Sequence, residues 1–212
     1  MKTYGQFCSV AKSLDVIGDR WTLLILRELL FQGPCRYTDL ANGLPGIASN
    51  LLSDRLKSLE GAGLLHREAA PPPVATTLFH LTERGRTTEP VLAALSRWGA
   101  EFVQGTPSST EEFRSYWFPY SVAAYLRDRA PGAAPVSVQL VTPIGSWVIT
   151  VDDAGTGVRE GTTEVSALSL DGHPRLILGL LSGSHTLDDV RAEGMVVGGN
   201  PEVLATFPLV AA

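Results

Sequence analysis

The stretch that decides the fold is LPGIASNLLSDRLKSLEGAGL, which occupies residues 44–64 of the 212-residue chain. Its Pro45-Gly46 pair breaks the preceding element, and Ser49 or Asn50 can accept a hydrogen bond from the first free amides of a new helix. We expect this helix to begin at about Ser49. It should end in the Gly61-Ala62-Gly63 segment, because glycine adopts the left-handed conformation that closes a helix.

That helix is amphipathic at the helical period of 3.6 residues per turn. Its apolar stripe consists of Leu52, Leu56 and Leu59. The opposite face is polar and consists of Asn50, Ser53, Asp54 and Lys57, with Arg55 on its flank. The pattern predicts that one face packs into a core and that the other meets water or a partner.

The residues on both sides of this helix complete a recognisable arrangement. Thr38 can cap a short upstream helix, Asp39 to Leu44, so that a tight turn joins two helices as in a helix-turn-helix. Downstream, Leu64 to Glu68 and Thr76 to Leu81 predict two short strands, separated by a proline-rich segment at 69–74. Together these elements predict a winged helix-turn-helix.

A series of motifs runs in one order through the first half of the chain, from Cys8 to Gly99. They are CSVA at 8–11, LDVIG at 14–18, RWTLLILREL at 20–29, RYTDL at 36–40, LPGI at 44–47, LSDRLKSLE at 52–60, AGL at 62–64, and LT at 81–82 with Gly85. This series resembles the HxlR-type winged helix-turn-helix transcription regulators, which are relatives of the MarR type. The chain departs from the family in two places: Ala48 replaces the usual serine, and the predicted wing carries three prolines and no charge.

The resemblance implies a homodimer that binds a pseudo-palindromic operator in double-stranded DNA. Asn50 can form paired hydrogen bonds with adenine, Arg55 can reach guanine or phosphate, and Asp54 can accept from a cytosine amino group. The alternative is that Arg55 and Asp54 pair as surface charges. The candidate DNA-binding residues are Arg36, Tyr37, Thr38, Ser49, Asn50, Leu51, Ser53, Asp54, Arg55, Lys57 and Arg67.

Apolar periodicity predicts three more helices in this half. One runs from Phe7 to Ile17, and a second, from Arg20 to Phe31, is apolar on nearly all sides, as expected at the centre of a domain. Thr82 can cap a third, long helix, in which Pro90 is tolerated near the start or introduces a kink. We interpret one stripe of this third helix as a dimer seam, as the resemblance also implies: Val91, Leu95, Trp98 and Phe102.

The segment GTPSST at 105–110 is a break in composition, and we place the domain boundary there. Residues 1–104 are predicted to form the winged helix DNA-binding and dimerisation domain, and residues 105–212 a second domain. The pattern of the second domain predicts a helix at 111–129, strands at 136–140, 147–151, 157–161 and 164–170, and helices at 174–181, 187–192 and 201–204. The fold class is therefore α+β, with a C-terminal α/β sandwich-like domain whose sheet is mostly antiparallel.

The tail of the second domain, LILGLLSG at 176–183 and GMVVGGNP at 194–201, resembles a sterol-carrier-protein type 2 domain. Such domains hold lipids or other apolar small molecules, so the resemblance implies a pocket for an apolar small-molecule effector. The alternative is that the same apolar side chains form an ordinary core. The candidate ligand-binding residues are Trp117, Tyr120, Tyr125, Trp147, Ile149, Leu178 and Leu181.

The charge of the chain is distributed unevenly. Residues 1–104 carry 11 Lys and Arg against 10 Asp and Glu, whereas residues 105–212 carry 6 against 12, so the formal charge of -5 comes from the second half. A first half with a charge of +1 predicts a modest DNA affinity that depends on a few cations and on dimerisation. The sequence contains neither an apolar leader nor an apolar run of 18 residues, which favours a cytoplasmic protein without a membrane partner.

Two cysteines are too few for a disulfide framework in a chain of this length. Cys8 occupies a position at which some HxlR-type members sense oxidants or electrophiles, which attack the thiolate form. Cys8 is therefore a candidate redox residue with Lys12 one turn away, and the alternative is an inert, half-buried thiol. We interpret Cys35 as incidental.

The sequence gives no support for an enzyme or a metal site. Ser182, His185 and Asp188 lie close together, but the G-x-S-x-G pattern of a nucleophile elbow is missing. The four histidines have no Cys or carboxylate at metal-ligand spacing, and they are His66, His80, His173 and His185. We therefore expect no catalytic residue, no metal and no cofactor.

The sequence thus predicts a sequence-specific, homodimeric transcription regulator, interpreted as a repressor, whose DNA affinity is modulated by an apolar molecule in the second domain. Two alternatives remain open. The first is a lipid or small-molecule carrier that uses the winged helix only for dimerisation. The second is a redox-sensing regulator that acts through Cys8.

Overall fold

The computed structural model describes residues 3–70, 76–99, 102, 112, 114–126, 134–153 and 155–206. The chain forms two compact units, Met1–Leu92 and Ala93–Ala212. The predicted domain boundary at residues 104 and 105 lies outside the described residues, as does most of the proline-rich segment of the wing. The division of the chain at that boundary therefore stays a prediction.

The N-terminal unit consists of helices around a small antiparallel sheet with the strand order β1-β3-β2. Its elements are α1 (Ser9–Ile17), α2 (Thr22–Gln32), β1 (Cys35–Arg36), α3 (Tyr37–Gly43), α4 (Ser49–Gly61), β2 (Leu65–Ala69), β3 (Thr77–Leu81), α5 (Glu83–Arg86) and the start of α6 (Glu89–Gly99). Helices α3 and α4 form the predicted helix-turn-helix, and strands β2 and β3 form the wing. The winged helix-turn-helix prediction is confirmed.

Helix α2 is the centre of this unit, as its apolar sequence predicts. Ile25 and Leu26 are fully buried, and Gly33, with φ of +76°, ends the helix. Leucines and aromatic side chains from α3, α4 and the wing complete the core: Leu40, Leu44, Leu52, Leu56, Leu59, Leu64, Leu65, Phe79 and Leu81.

Two helix boundaries differ from the prediction. Helix α3 begins at Tyr37, because the Asp39 carboxylate accepts a hydrogen bond of 2.9 Å from the Arg36 amide, so Thr38 lies inside the helix and does not cap it. The long helix after Thr82 is in fact two helices, α5 and α6. Thr82 caps α5 by accepting a hydrogen bond from the Gly85 amide, and Pro90 lies in the first turn of α6. A proline ring clashes with the carbonyl four residues back and lacks an amide proton, so a continuous helix cannot pass through this position unbroken.

The C-terminal unit is a five-stranded sheet with packed helices, in the strand order β6-β5-β4-β7-β8. Its elements are a 3-10 turn (Ser115–Trp117), α7 (Phe118–Leu126), β4 (Val136–Thr142), β5 (Gly145–Asp152), β6 (Gly155–Glu160), β7 (Leu168–Asp171), α8 (Pro174–Ser182), α9 (Leu187–Ala192), β8 (Val196–Gly199) and a 3-10 helix (Pro201–Thr206). Three strand pairs are antiparallel, and β4 pairs with β7 in parallel. The α+β class is confirmed, and the sheet is mixed.

The strand order explains what the sequence pattern missed in this unit. Strand β8 was not predicted, because its sequence ends in two glycines and its strand conformation depends on pairing with β7. Strand β7 begins at Leu168 and not at Glu164. Thr163, before this strand, donates its amide proton to the side-chain carbonyl of Gln139, which is buried in β4.

Among the described residues, none of the helices has both the length and the apolar composition that a bilayer crossing requires.

Candidate nucleic-acid interface

Helix α4 begins at the predicted residue, and the residue ahead of it provides no side-chain cap. Its N-cap residue is Ala48, which has extended backbone angles and no side chain able to accept a hydrogen bond. The Asn50 side-chain oxygen accepts instead from the next amide, that of Leu51, at 2.9 Å. Asn50 thus accepts a hydrogen bond from one of the first free amides of the helix, as predicted, and the predicted start at Ser49 is also confirmed.

The two faces of α4 differ as the leucine stripe predicts. Leu52, Leu56 and Leu59 are at most 3% exposed, so the apolar stripe is fully packed. The residues on the other side are exposed or half-buried: Ser49, Asn50, Asp54 and Lys57 are exposed, and Leu51, Ser53 and Arg55 are half-buried. This surface, Ser49 to Lys57 without the leucine stripe, is called the α4 face below.

One hydrogen bond and the conformation of the connecting turn fix α4 relative to α3. The Tyr37 hydroxyl donates a hydrogen bond of 2.7 Å to the carbonyl oxygen of Ser49, which joins the first residues of the two helices. Between the helices, Gly46 has φ of +85°, a left-handed conformation that suits glycine. Tyr37, a candidate for phosphate contact, therefore also positions the start of α4.

Arg55 does not pair with Asp54, which was the alternative considered from the sequence. Its Nε lies 3.2 Å from the carboxylate of Asp19, ahead of α2. The same carboxylate accepts hydrogen bonds from the amides of Trp21 and Thr22, at 2.8 and 3.1 Å. Arg55 thus connects the middle of α4 to the start of the central helix.

Arg67 is also paired within the protein. Its guanidinium donates to both carboxylate oxygens of Glu60, at 3.0 and 2.9 Å from Nε, with a further short contact from a terminal nitrogen. These hydrogen bonds, followed by the charge of Arg67, hold the pKa of Glu60 below its usual value. The pair connects β2 of the wing to the end of α4.

Two other cations of this surface are exposed and form no ion pair within the described residues. Lys57 is exposed on α4 and Arg36 is exposed on β1, and within the described part of the chain no ion pair is recorded for either side chain. Thr38 is exposed on α3. These residues are available to an outside partner.

Three potential metal ligands come together on the wing, although the sequence shows them scattered. His66 on β2 lies directly opposite His80 on β3, and Glu68 follows two residues later on the same strand. The missing information was the register of the hairpin, because His66 and His80 are neighbours only when Leu65 pairs with Leu81.

The two cysteines lie in opposite environments. Cys8 is exposed at the start of α1 and, with Lys12, lines an open surface groove of about 370 Å³. Cys35 is 1% exposed, and burial, with smaller effects from the carboxylates of Asp39 and Glu28, raises the pKa of its thiol to about 12. Only Cys8 remains a candidate for oxidant chemistry.

Most of the candidate ligand-binding residues lie in the packed core of the C-terminal unit. The buried ones are Tyr125, Trp147, Ile149 and Leu181, and Leu178 packs against the same core. Trp117 and Tyr120 are half-buried near the start of α7. Five of the seven residues thus belong to or pack against one hydrophobic cluster, and a ligand pocket there stays a prediction.

Large apolar side chains are exposed to solvent on α6 and on α1. On α6 and just beyond it, Val91, Leu95, Trp98 and Phe102 are 42, 39, 65 and 65% exposed, and the rings of Trp98 and Phe102 meet edge to face at 5.2 Å. These are the residues of the predicted seam. In α1 and just before it, Phe7, Val10 and Leu14 are also exposed, which the sequence pattern did not assign to a seam.

Comparison with known proteins places similarity in the first half of the chain. The profile of the family described as HxlR-like helix-turn-helix matches residues 16–107. An uncharacterized HTH-type transcriptional regulator of Synechocystis sp. PCC 6803, sll1512, is 34% identical over 100 residues, which are 47% of this chain and 73% of that protein. The uncharacterized HTH-type transcriptional regulator YvaP of Bacillus subtilis is 33% identical over 92 residues, 43% of this chain and 84% of that protein.

A solved structure is similar to about half of this chain. The reduced form of the transcriptional regulator YodB from Bacillus subtilis has 27% sequence identity and covers 48% of this chain and 100% of that chain, with a TM-score of 0.41. The family match ends at residue 107. The resemblance of the C-terminal unit to a sterol-carrier domain therefore stays a prediction.

Proposed function

We propose the following function for this chain, which belongs to the family of HxlR-like helix-turn-helix proteins. Its relatives are HTH-type transcriptional regulators, and the chain is accordingly a DNA-binding regulator of transcription. More specifically, it acts as a homodimeric repressor whose two α4 faces enter successive major grooves of a pseudo-palindromic operator, about 34 Å apart.

The observation that carries this proposal is the α4 face itself. It is a polar, solvent-exposed helix surface backed by three buried leucines, which keep it rigid. Asn50 and Asp54 provide groups that can read base edges, and Lys57 provides a charge for phosphate. The hydrogen bond from Tyr37 to Ser49 helps to position the N-terminal end of α4. This end of the recognition helix contacts bases in helix-turn-helix proteins.

Dimerisation is supported by the exposed apolar residues of α6. Four large side chains in one stripe form a patch of the kind that monomeric proteins rarely leave in water. Two copies that bury this patch against each other present two α4 faces with two-fold symmetry. A dimer bound across a promoter obstructs transcription, which is why we propose repression.

DNA binding is tested by fluorescence anisotropy with operator fragments selected from a genomic library by the wild-type protein. Lys57→Ala is expected to weaken binding. It should also reduce the slope of log affinity against log salt concentration by about 1, because one phosphate contact is lost. Lys12→Ala, which removes the other described lysine of this unit, is the matched control. It should leave the DNA affinity and its salt dependence unchanged. Equal behaviour of the two variants contradicts the proposed role of the α4 face.

We further propose that an apolar effector in the C-terminal unit changes DNA affinity. This unit has a hydrophobic core of its own, and aromatic side chains remain half-buried at its edge, at Trp117 and Tyr120. An effector regulates only if it binds two dimer arrangements with different affinity. Mass spectrometry of small molecules that co-purify with the full chain tests this step, and a ligand-free protein whose DNA affinity no lipid or apolar extract alters contradicts it.

A second candidate is a redox response through Cys8. Its support is an exposed thiol at the first turn of α1, beside Lys12 in an open groove. If oxidation of Cys8 releases DNA, Cys8→Ser abolishes the peroxide-dependent loss of binding and keeps the affinity of the reduced protein. Peroxide-dependent release that persists in Cys8→Ser excludes this mechanism.

A further inference from the structure

The outer face of the wing carries a compact group of nitrogen and oxygen ligands. His66 and His80 are paired across β2 and β3, and Glu68 lies two residues beyond His66, so all three project from the same face of the sheet. The imidazole rings stack with centroids 5.0 Å apart, and a carboxylate oxygen of Glu68 lies 3.4 Å from Nε2 of His80. One ligand atom from each residue lies within 4.8 Å of the other two.

The donor set is that of a divalent transition metal. Two imidazoles and one carboxylate are a set used for zinc, and imidazole also suits copper and nickel. With bonds of about 2.0–2.1 Å in a tetrahedral site, two ligand atoms lie roughly 3.3–3.4 Å apart. The distance of 3.4 Å between the Glu68 carboxylate oxygen and Nε2 of His80 already lies in this range.

One of the ligand atoms also lacks a hydrogen-bond partner. Nε2 of His80 is covered by protein, and no hydrogen bond to it is formed within the described residues. The nearby oxygen of Glu68 is close enough for an ion pair, but the contact does not have hydrogen-bond geometry. A buried polar atom without a partner is costly, and a metal ion bound to its lone pair removes that cost.

We propose that His66, Glu68 and His80 form a binding site for a divalent transition metal of the zinc type, with water completing the coordination. The metal would cross-link the two strands of the wing. Hard cations such as Mg²⁺ are poor occupants, because they require a full set of oxygen ligands and the group offers a single carboxylate. The site is separate from the α4 face, and its occupancy can be measured without DNA.

The test is isothermal titration of the full chain with Zn²⁺ in a buffer without chelators. All proteins carry Cys8→Ser, so that the exposed thiol cannot bind the metal. We expect one equivalent of Zn²⁺ per chain and no binding of Mg²⁺. His66→Gln and His80→Gln should each lower the affinity about 100-fold, since loss of even an outer-shell partner of a metal site costs 10–100-fold.

Two further variants make the result specific. Glu68→Gln removes a carboxylate from a side chain that is 63% exposed, so it should keep the fold and still lose affinity. His173→Asn is the matched control, because it removes an imidazole outside the wing and keeps the side-chain acceptor that His173 provides to the Arg175 amide. This control should bind Zn²⁺ like its parent.

A second readout separates binding at the wing from binding elsewhere. Zn²⁺ should raise the melting temperature of the parent and of the His173→Asn protein, and should leave that of the two wing histidine variants unchanged. If the parent does not bind Zn²⁺, or if His66→Gln, His80→Gln and Glu68→Gln all bind it as the parent does, the proposal is overturned. The group is then only a cross-strand stack with an ion pair.

Discussion

At the scale of single residues, the two cysteines show how position in the fold decides chemistry. Burial raises the pKa of Cys35 to about 12, so its reactive thiolate is almost absent at neutral pH, whereas Cys8 is exposed. We expect one thiol per native chain to react with an alkylating reagent at pH 8, and both to react in denaturant. Cys8→Ser should leave the native protein unlabelled. Labelling of native Cys8→Ser at an appreciable rate contradicts the burial of Cys35.

Gly85 in α5 provides a second test, because it packs closely against the backbone of Leu64. A Cβ at this position would lie 2.0 Å from the carbonyl oxygen of Leu64, a backbone atom that cannot move aside. Gly85→Ala should therefore lower the free energy of unfolding by about 1–3 kcal/mol, as overpacking does, despite the higher helix propensity of alanine. Chemical denaturation measures the change.

The matched control for Gly85 is the last residue of α4. Gly61→Ala places its Cβ in open space, so it should be neutral or stabilise the protein by up to about 1 kcal/mol, in line with helix propensity. Equal changes in the free energy of unfolding for the two substitutions would contradict the close packing of Gly85 against the Leu64 carbonyl oxygen.

At the scale of elements, the wing and α4 are joined by the pair of Glu60 and Arg67. The pKa of Glu60 is held below its usual value of 4.5, mainly by hydrogen bonds from Arg67. A carboxylate with a lowered pKa in the folded state contributes stability that is fully present above its unfolded pKa. That contribution is lost as the pH falls through the folded value.

The prediction is that Glu60→Gln lowers stability at pH 7 and that this difference shrinks as the pH falls through the lowered folded pKa of Glu60, because the wild-type carboxylate then becomes neutral like the glutamine amide. The effect at pH 7 should be small and should shrink in high salt, because both side chains are partly exposed. Urea denaturation of both proteins over a series of decreasing pH values checks this. A difference that does not shrink as the pH falls would mean that the glutamine disturbs packing and that charge is not the cause.

The elements also show what can be predicted from sequence. The leucine spacing of α4 and the alternation of β2 and β3 were sufficient to place a helix, a turn and a wing, because each pattern is local. The pairs Arg55 with Asp19 and His66 with His80 depend on how distant segments meet. Local patterns do not contain that information, so the sequence offered only DNA or the neighbouring Asp54 as partners of Arg55 and left the histidines unconnected.

At the scale of the whole molecule, the proposed binding to a pseudo-palindromic operator requires a dimer. Trp98 is 65% exposed and, with Phe102, forms the aromatic part of the α6 stripe. A charge introduced there must be desolvated in the interface, so Trp98→Glu should shift the protein from dimer to monomer in sedimentation equilibrium. Val165→Glu is the matched control: Val165 is 82% exposed outside that stripe, and its substitution should keep the dimer.

A wild-type chain that sediments as a monomer, or a Trp98→Glu protein that dimerises as well as Val165→Glu, contradicts the proposed seam. The sequence predicts this seam because an apolar stripe on a predicted helix has no partner in a small winged domain. It could not show that α1 also exposes Phe7, Val10 and Leu14, because the same spacing is typical of a helix packed on its own core.

Methylation protection of guanine N7 on a selected operator shows whether two α4 faces read one DNA site from the major groove. We predict two protected patches about 10–10.5 base pairs apart, one for each half-site. Both should disappear with a variant that carries Asn50→Ala and Lys57→Ala. A single patch, or protection that the double variant retains, would contradict the account.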